Sequence, residues 1–192
     1  MRTIELCRDG DLSIRLLRND ARDLTLLVSW RAEPHVHEWW DPDEPPPSLD
    51  QVTEKYGGRT DPDSPTTPCV IELDGRPIGY VQFYLWASFP DEVAAMELPV
   101  GDRSFGLDIL IGDPDLVGAG HGSRAVGMLC RHLVRARGAR EVLLTTELTN
   151  ARAQRAYERA GFEKVKEVWE LDTRGGEPTR SWLMLWIPPR DL

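Results

Sequence analysis

The chain has 192 residues, 41% of them hydrophobic and 29% charged, the balance of a soluble globular protein with enough chain for a proper core. It contains no apolar run of the roughly 18 residues that a membrane-spanning helix needs, and its opening, MRTIELCRDGD, lacks the apolar centre of a signal peptide. A formal net charge of −9 argues against nucleic acid as a partner and favours a cationic one. Cys7, Cys69 and Cys130 are odd in number and far apart, which fits neither a disulfide framework nor a metal knuckle. The expectation is one domain over residues 1–192 in a reducing cytoplasm, as a monomer or homodimer.

Taken in order, alternating Leu12, Ile14 and Leu16 predict an opening strand, with a hairpin partner at 4–7 across Asp9-Gly10. Asn19 or Asp20 caps a helix whose Leu24, Leu27, Val28 and Trp30 fall at helical spacing. The stretch HVHEWWDPDEPPPSLD, with prolines at 42, 45, 46 and 47, reads as a loop. Ser48 then caps a short helix to about Tyr56, and DPDSPTTP at 61–68 is a second proline-rich loop. Residues 69–73 and 77–87 form two strands around the Asp74-Gly75 turn. FPDEVAAMELPVGDR reads as irregular and acidic.

Ser104 to Ser123, SFGLDILIGDPDLVGAGHGS, carries the chemistry. Phe105, Leu107, Ile109, Leu110 and Ile111 make a buried strand with one ionisable group, Asp108, in its middle. A carboxylate there is costly to bury without a partner or a cleft. It is either a structural hydrogen-bond acceptor or a functional base. Gly118, Gly120 and Gly122 then alternate with Ala119 and His121 and open onto a helix ended by Gly138. Such a loop can turn successive N–H groups toward an anion at the positive end of the helix. It lacks the Lys-Ser/Thr of a nucleoside-triphosphate loop, and His35 and His37 have no neighbours at metal-ligand spacing. A strand at 141–145, a helix from Asn150 closed by Gly161, and strands at 165–172 and 181–187 around Gly175-Gly176 complete the chain. The element order predicts an α+β (α/β mixed sheet) fold.

EWW at 38–40, RPIGYVQFY at 76–84, FGLDILIG at 105–112, VGAGHGS at 117–123 and NARAQRAYERAGF at 150–162 occur in one order. Across about residues 12–187 this pattern resembles the GNAT superfamily of acetyl-CoA-dependent N-acetyltransferases, most narrowly the aminoglycoside 6'-N-acetyltransferases. The resemblance implies a central mixed, mostly antiparallel sheet flanked by helices, acetyl-CoA as co-substrate, no metal, and an aminoglycoside acceptor. It implies that the backbone of Ile109, Leu110 and Ile111 pairs with the pantetheine arm. Backbone amides from Val117, Gly118, Ala119, Gly120, His121, Gly122 and Ser123 would bind the pyrophosphate, with Asn150, Ala153 and Tyr157 completing the coenzyme side. Val117 stands where the family usually has Gln or Arg, a departure that backbone contact tolerates. Asp108 is implied as the base at the acceptor amine and Tyr157 as the acid at the leaving thiolate. Asn150 also fits a plain helix cap, and Tyr157 a packed ring.

A polycationic acceptor calls for carboxylates and stacking surfaces. The candidates are Trp39, Trp40, Asp41, Gln82, Glu97, Asp108 and Glu147, with Glu38 and Asp102 held more loosely. Siderophore-biosynthesis lysine N-acyltransferases share this layout, but their strand typically carries a histidine where Asp108 stands. Asp108 therefore favours the aminoglycoside reading. A drug- or acyl-CoA-binding module without turnover is the alternative from another class.

Overall fold

A computed structural model describes residues 4–40, 42–170 and 178–190. Asp41 and the expected Gly175-Gly176 turn lie outside them. Eight strands form one sheet in the order β1-β2-β3-β4-β5-β6-β8-β7. They are β1 Glu5–Asp9, β2 Leu12–Leu16, β3 Thr66–Leu73, β4 Arg76–Leu85, β5 Ser104–Ile111, β6 Glu141–Glu147, β7 Glu163–Glu170 and β8 Thr179–Trp186. The helices are α1 Ala21–Ala32, α2 Pro34–His37, α3 Leu49–Val52, α4 Pro90–Ala95, α5 His121–Arg137 and α6 Ala151–Arg159. Every neighbouring pair is antiparallel except β5 and β6.

The two sheet faces carry different layers. On one, Leu12, Ile71, Val81 and Leu107 pack against Val126 and Leu129 of α5. On the other, Leu24, Leu27 and Trp30 of α1 cover Val70, Tyr80 and Leu110. Farther along this second face, Met96 and Leu98 beyond α4 close over Leu143, Val168 and Leu183. The local signals act as expected: Asp20 caps α1 by accepting from Asp23 N–H, and Ser48 forms a capping box with Gln51. A single π turn, Thr53–Gly57, prolongs α3.

Four expectations need correction. Residues 34–37 form a helical turn, because Pro34 at the first helical position presets φ and has no N–H to leave unpaired. The loop at 61–68 ends early, since β3 begins at Thr66 and runs through Pro68. Pro68 is tolerated because its carbonyl accepts from Leu17 on the edge away from β4, so the missing donor faces that edge too. The segment 89–103 contains α4, again opened by a proline, and its Met96 and Leu98 are buried rather than exposed. The strand expected at 77–87 ends at Leu85, where a 3-10 turn at Trp86–Ser88 takes over.

A buried ion network ties β2, β3 and α1 together. Arg15 donates to Asp23 at 2.5 and 2.9 Å and to Glu72 at 2.8 Å, while Arg18 adds side-chain and backbone donors to Asp23. Burial alone would raise the Asp23 pKa, but the Arg15 and Arg18 hydrogen bonds dominate and hold it at about 2. Truncation of Asp23 to Ala leaves Arg15 with Glu72 and Arg18 with Asp20 as remaining carboxylate partners, so chemical denaturation is expected to show a loss toward the lower end of about 3–5 kcal/mol. The Asp23 contribution is complete above the unfolded carboxyl pKa of about 3.9 and is lost as pH falls toward its folded value. Wild-type stability should therefore drop across that acid window, and in Asp23→Asn this share of the drop should vanish.

Candidate active site

β5 and β6 are partners only at Ser104↔Glu141 and Phe105↔Val142. Beyond that the strands separate and expose the inner edge of β5. The Gly112 N–H bonds Ile78 O, so the even-numbered residues of β5 turn their backbone groups to β4. Leu107, Ile109 and Ile111 therefore turn theirs toward the gap. His35 Nε2 donates to Ile111 O at 2.9 Å. This leaves the Ile109 amide and carbonyl and the Ile111 N–H for a ligand. Leu110 uses its backbone toward β4, and its side chain belongs to the second apolar cluster.

The gap widens into a cleft of about 310 Å³, lined among others by Trp39, Trp40, Ile109, Ile111, Asn150 and Tyr157. Its floor is the glycine loop. Gly118 and Gly120 have φ of 83° and 89°, a left-handed conformation that side chains strain. Gly120 is the N-cap of α5 and offers no side-chain cap. Arg124 N–H makes the first helical bond, to Gly120 O. Among the described residues, no protein acceptor meets the amides of His121, Gly122 and Ser123. Free amides at the positive end of a 17-residue helix suit a pyrophosphate. Val117 and Ala119 use their N–H groups on Pro114 and Leu116, which shapes the loop. His121 is half-buried, with Nδ1 unpaired.

Helix α6 forms the opposite wall. Asn150 accepts from Ala153 N–H at 3.0 Å as its cap, and Gln154 Nε2 ties the helix to Glu147 O and Leu148 O. Arg152, Arg155 and Arg159 also line the cleft. They put positive charge where a coenzyme's phosphates would lie, in a chain otherwise acidic. Sequence reasoning passed over them, although their spacing of three and four residues marks one helical stripe. Arg152 crosses to α2 by donating to His35 O at 2.9 Å. Tyr157 is buried at the cleft wall beside Phe162. Burial first, then the charges of Asp108 and Glu170, push its phenol well above the ordinary range. It stays protonated and can act as a donor.

Asp108 lies on the second sheet face, opposite Gln82. Gln82 Nε2 donates to Asp108 Oδ2 at 2.6 Å. Burial raises the Asp108 pKa, and the Gln82 bond opposes that rise. Tyr84 shares this face, and its ring lies over Gly106, where a Cβ would come within 2.4 Å of it. Glu147, Ser181 and Glu170 continue the face across β6, β8 and β7, and Ser181 Oγ donates to Glu170 Oε2 at 3.0 Å. Asp108, Glu147 and Glu170 thus share this face as polar positions between the two apolar clusters. Tyr84 and Glu170 were not foreseen, because only pairing across strands brings them beside Asp108.

The remaining candidates separate. Trp40 packs edge-on to Tyr80 at 6.2 Å with Arg31 over its ring, so it is partly core. Trp39 Nε1 donates to Glu38 Oε1 at 2.6 Å at the cleft mouth. Glu97 and Asp102 are exposed and do not line the cleft, and the Glu97 carbonyl receives Lys166. Asp41 lies outside the described residues.

Comparison with known proteins agrees with this geometry. A family model described as an acetyltransferase (GNAT) domain matches residues 19–169. Aminoglycoside N(6')-acetyltransferase type 1 of Klebsiella pneumoniae is 32% identical over 164 residues, 85% of this chain and 80% of that protein. The Serratia marcescens protein of the same name matches equally. Among solved structures, AAC(6')-Ib with ribostamycin and coenzyme A superposes with TM-score 0.78 at 27% identity, covering 92% of this chain and 93% of that one. The same enzyme with coenzyme A gives 0.76 at 26%, covering 92% and 94%.

The loop makes a direct prediction. Gly120→Val forces a β-branched residue into φ of 89°, and calorimetry should show coenzyme A binding weakened about tenfold or more. Turnover at saturating coenzyme is expected to hold.

Proposed function

The chain belongs to the GNAT acetyltransferase family, and from that premise we propose that it transfers the acetyl group of acetyl-CoA to the 6'-amine of an aminoglycoside. The observation that carries the acceptor side is Asp108: a carboxylate in the middle of an apolar strand, tied on one oxygen by Gln82 and on the same sheet face as Glu147 and Glu170. A polyamine needs this arrangement, one carboxylate for the reacting amine and others for its remaining ammonium groups.

Ile109 and Ile111 hold the pantetheine arm along the open edge of β5, and the free amides of His121, Gly122 and Ser123 take the pyrophosphate. The arginine stripe of α6 neutralises the remaining phosphate charge. Asp108, its proton affinity raised by burial, removes the proton that the amine loses as its nitrogen bonds the acetyl carbon. Tyr157, protonated throughout the neutral range, gives a proton to the departing thiolate. Trp39 at the cleft mouth offers a face for a sugar ring. All these groups come from one chain, so a monomer suffices for the chemistry. No helix among the described residues is long and apolar enough to cross a membrane, and we place the enzyme in the cytoplasm.

The test is thiol release from acetyl-CoA with kanamycin or tobramycin beside a 6'-hydroxyl analogue, lysine and N6-hydroxylysine. Release is expected only with the 6'-amino drugs; release only with the lysine acceptors would overturn the proposal. Asp108→Asn should lower kcat about 10²- to 10⁴-fold with coenzyme binding retained. In the wild type, the raised Asp108 pKa places the acid-side loss of activity above the usual carboxylate range. Tyr157→Phe should reduce turnover without moving that acid limb.

A further inference from the structure

A second layer behind Asp108 emerges from the hydrogen bonds of Gln82, and it rests on the acceptor-site reading above. A glutamine amide can present either its oxygen or its NH₂ to a neighbour. Two donors converge on Gln82 Oε1: the Tyr80 hydroxyl at 2.7 Å and Arg59 Nη1. A guanidinium only donates, so Oε1 must face Arg59 and Nε2 must face Asp108. Turned over, the amide would set N–H groups against a guanidinium and an oxygen against a carboxylate. Gln82 is 7% exposed and Tyr80 is fully buried, so solvent has little room to compensate.

Arg59 is itself held in place. Its guanidinium lies over the Tyr56 ring at 5.2 Å from the centroid. Arg31 donates to the Tyr56 hydroxyl at 2.8 Å, and Tyr56 meets Tyr80 edge-on at 5.5 Å. The donor direction from Arg59 and Tyr80 through Gln82 to Asp108 is fixed, and ring contacts of Tyr56 join it to Arg31 of α1. We infer that Arg59 is a positioning residue for the transfer, locking Gln82 in the orientation that fixes Asp108 by one oxygen and leaves the other for the acceptor amine. This also accounts for a guanidinium beside a site built for cations, because its charge is turned onto an amide oxygen and an aromatic face.

Several charged or titratable groups face Asp108. Lys55 and Arg59 come from the segment after α3, Glu170 from β7, Tyr84 from β4 and Tyr157 from α6. Burial raises the Asp108 pKa most, and Glu170 adds to the rise, whereas the Gln82 bond and the charges of Arg59 and Lys55 lower it. Both phenols stay protonated across the working range. Removing Arg59 deletes a lowering charge and frees the amide, and both effects move the carboxyl upward.

Arg59→Met keeps the stem on Tyr56 without the donor. Its kcat with a 6'-amino aminoglycoside should fall roughly ten- to a hundredfold, with coenzyme affinity and melting temperature near wild type. The acid limb should move to higher pH, and Arg59→Lys should recover part of both losses. In a Gln82→Met background, Arg59→Met should have little further effect on turnover. Carbon-13 titration of the Asp108 carboxyl in wild type and Arg59→Met gives a readout independent of turnover, expected to shift upward in the variant. If wild type transfers to no aminoglycoside, the substrate reading fails, and the titration still decides the role of Arg59. An unchanged carboxyl titration and pH profile in Arg59→Met would overturn the inference, as would equal losses in the presence and absence of Gln82. If Arg59→Met fails to fold, Tyr80→Phe and Arg59→Lys carry the same comparison.

Discussion

The architecture depends on a strand pairing that stops. β5 and β6 are parallel neighbours for two residue pairs and then part, while each keeps a full antiparallel partner on its other side. The sheet is thus held from both flanks and open in the middle. An unpaired β5 edge inside a folded domain would be a liability unless something bonds to it. The free backbone groups of Ile109 and Ile111 match the amide-bearing pantetheine arm. The glycine loop lies just beyond the end of the same strand, so the pyrophosphate cradle is positioned by the chain path.

In the proposed reading, one split in the sheet also separates the two substrates. The coenzyme would enter along the edge of β5, beside the α5 terminus and the arginines of α6. The acceptor would meet the other sheet face, where polar residues lie between the α1 and α4 clusters. The α6 arginines line the coenzyme side, while Asp108, Glu147 and Glu170 share the acceptor face, where the Arg59 guanidinium is turned onto Gln82 and Tyr56. Asp108 belongs to both regions because its strand forms the edge between them. Its side chain is on the acceptor face, and the residue after it, Ile109, offers backbone to the coenzyme.

Much of this was legible where the cause is local. Positive φ at Gly118 and Gly120, the cap at Asn150, and the apolar run around Asp108 are written in a few consecutive residues. The proposed roles of Asp108 and Tyr157 come from resemblance to a family, since the residues alone leave a structural acceptor and a packed ring as alternatives. The failures have physical causes. The loops expected at 35–50, 61–68 and 89–103 each give up residues to a regular element, because Pro34, Pro68 and Pro90 occupy positions where a missing N–H is tolerated. Arg59, Tyr84 and Glu170 are remote from Asp108 in sequence and meet it only through strand register and the packing of the segment after α3 on the sheet. No local pattern marks such a meeting.

The central claim is that the split between β5 and β6 holds the coenzyme while Asp108 faces the amine. A crystal structure with coenzyme A and kanamycin tests it most directly. Pantetheine amides should bond the Ile109 backbone, with the sulfur beside Tyr157. The 6'-nitrogen should lie within about 3.5 Å of an Asp108 oxygen or one water away. A pantetheine arm lying elsewhere, or a 6'-nitrogen held by Glu147 or Glu170 with Asp108 out of reach, would contradict it.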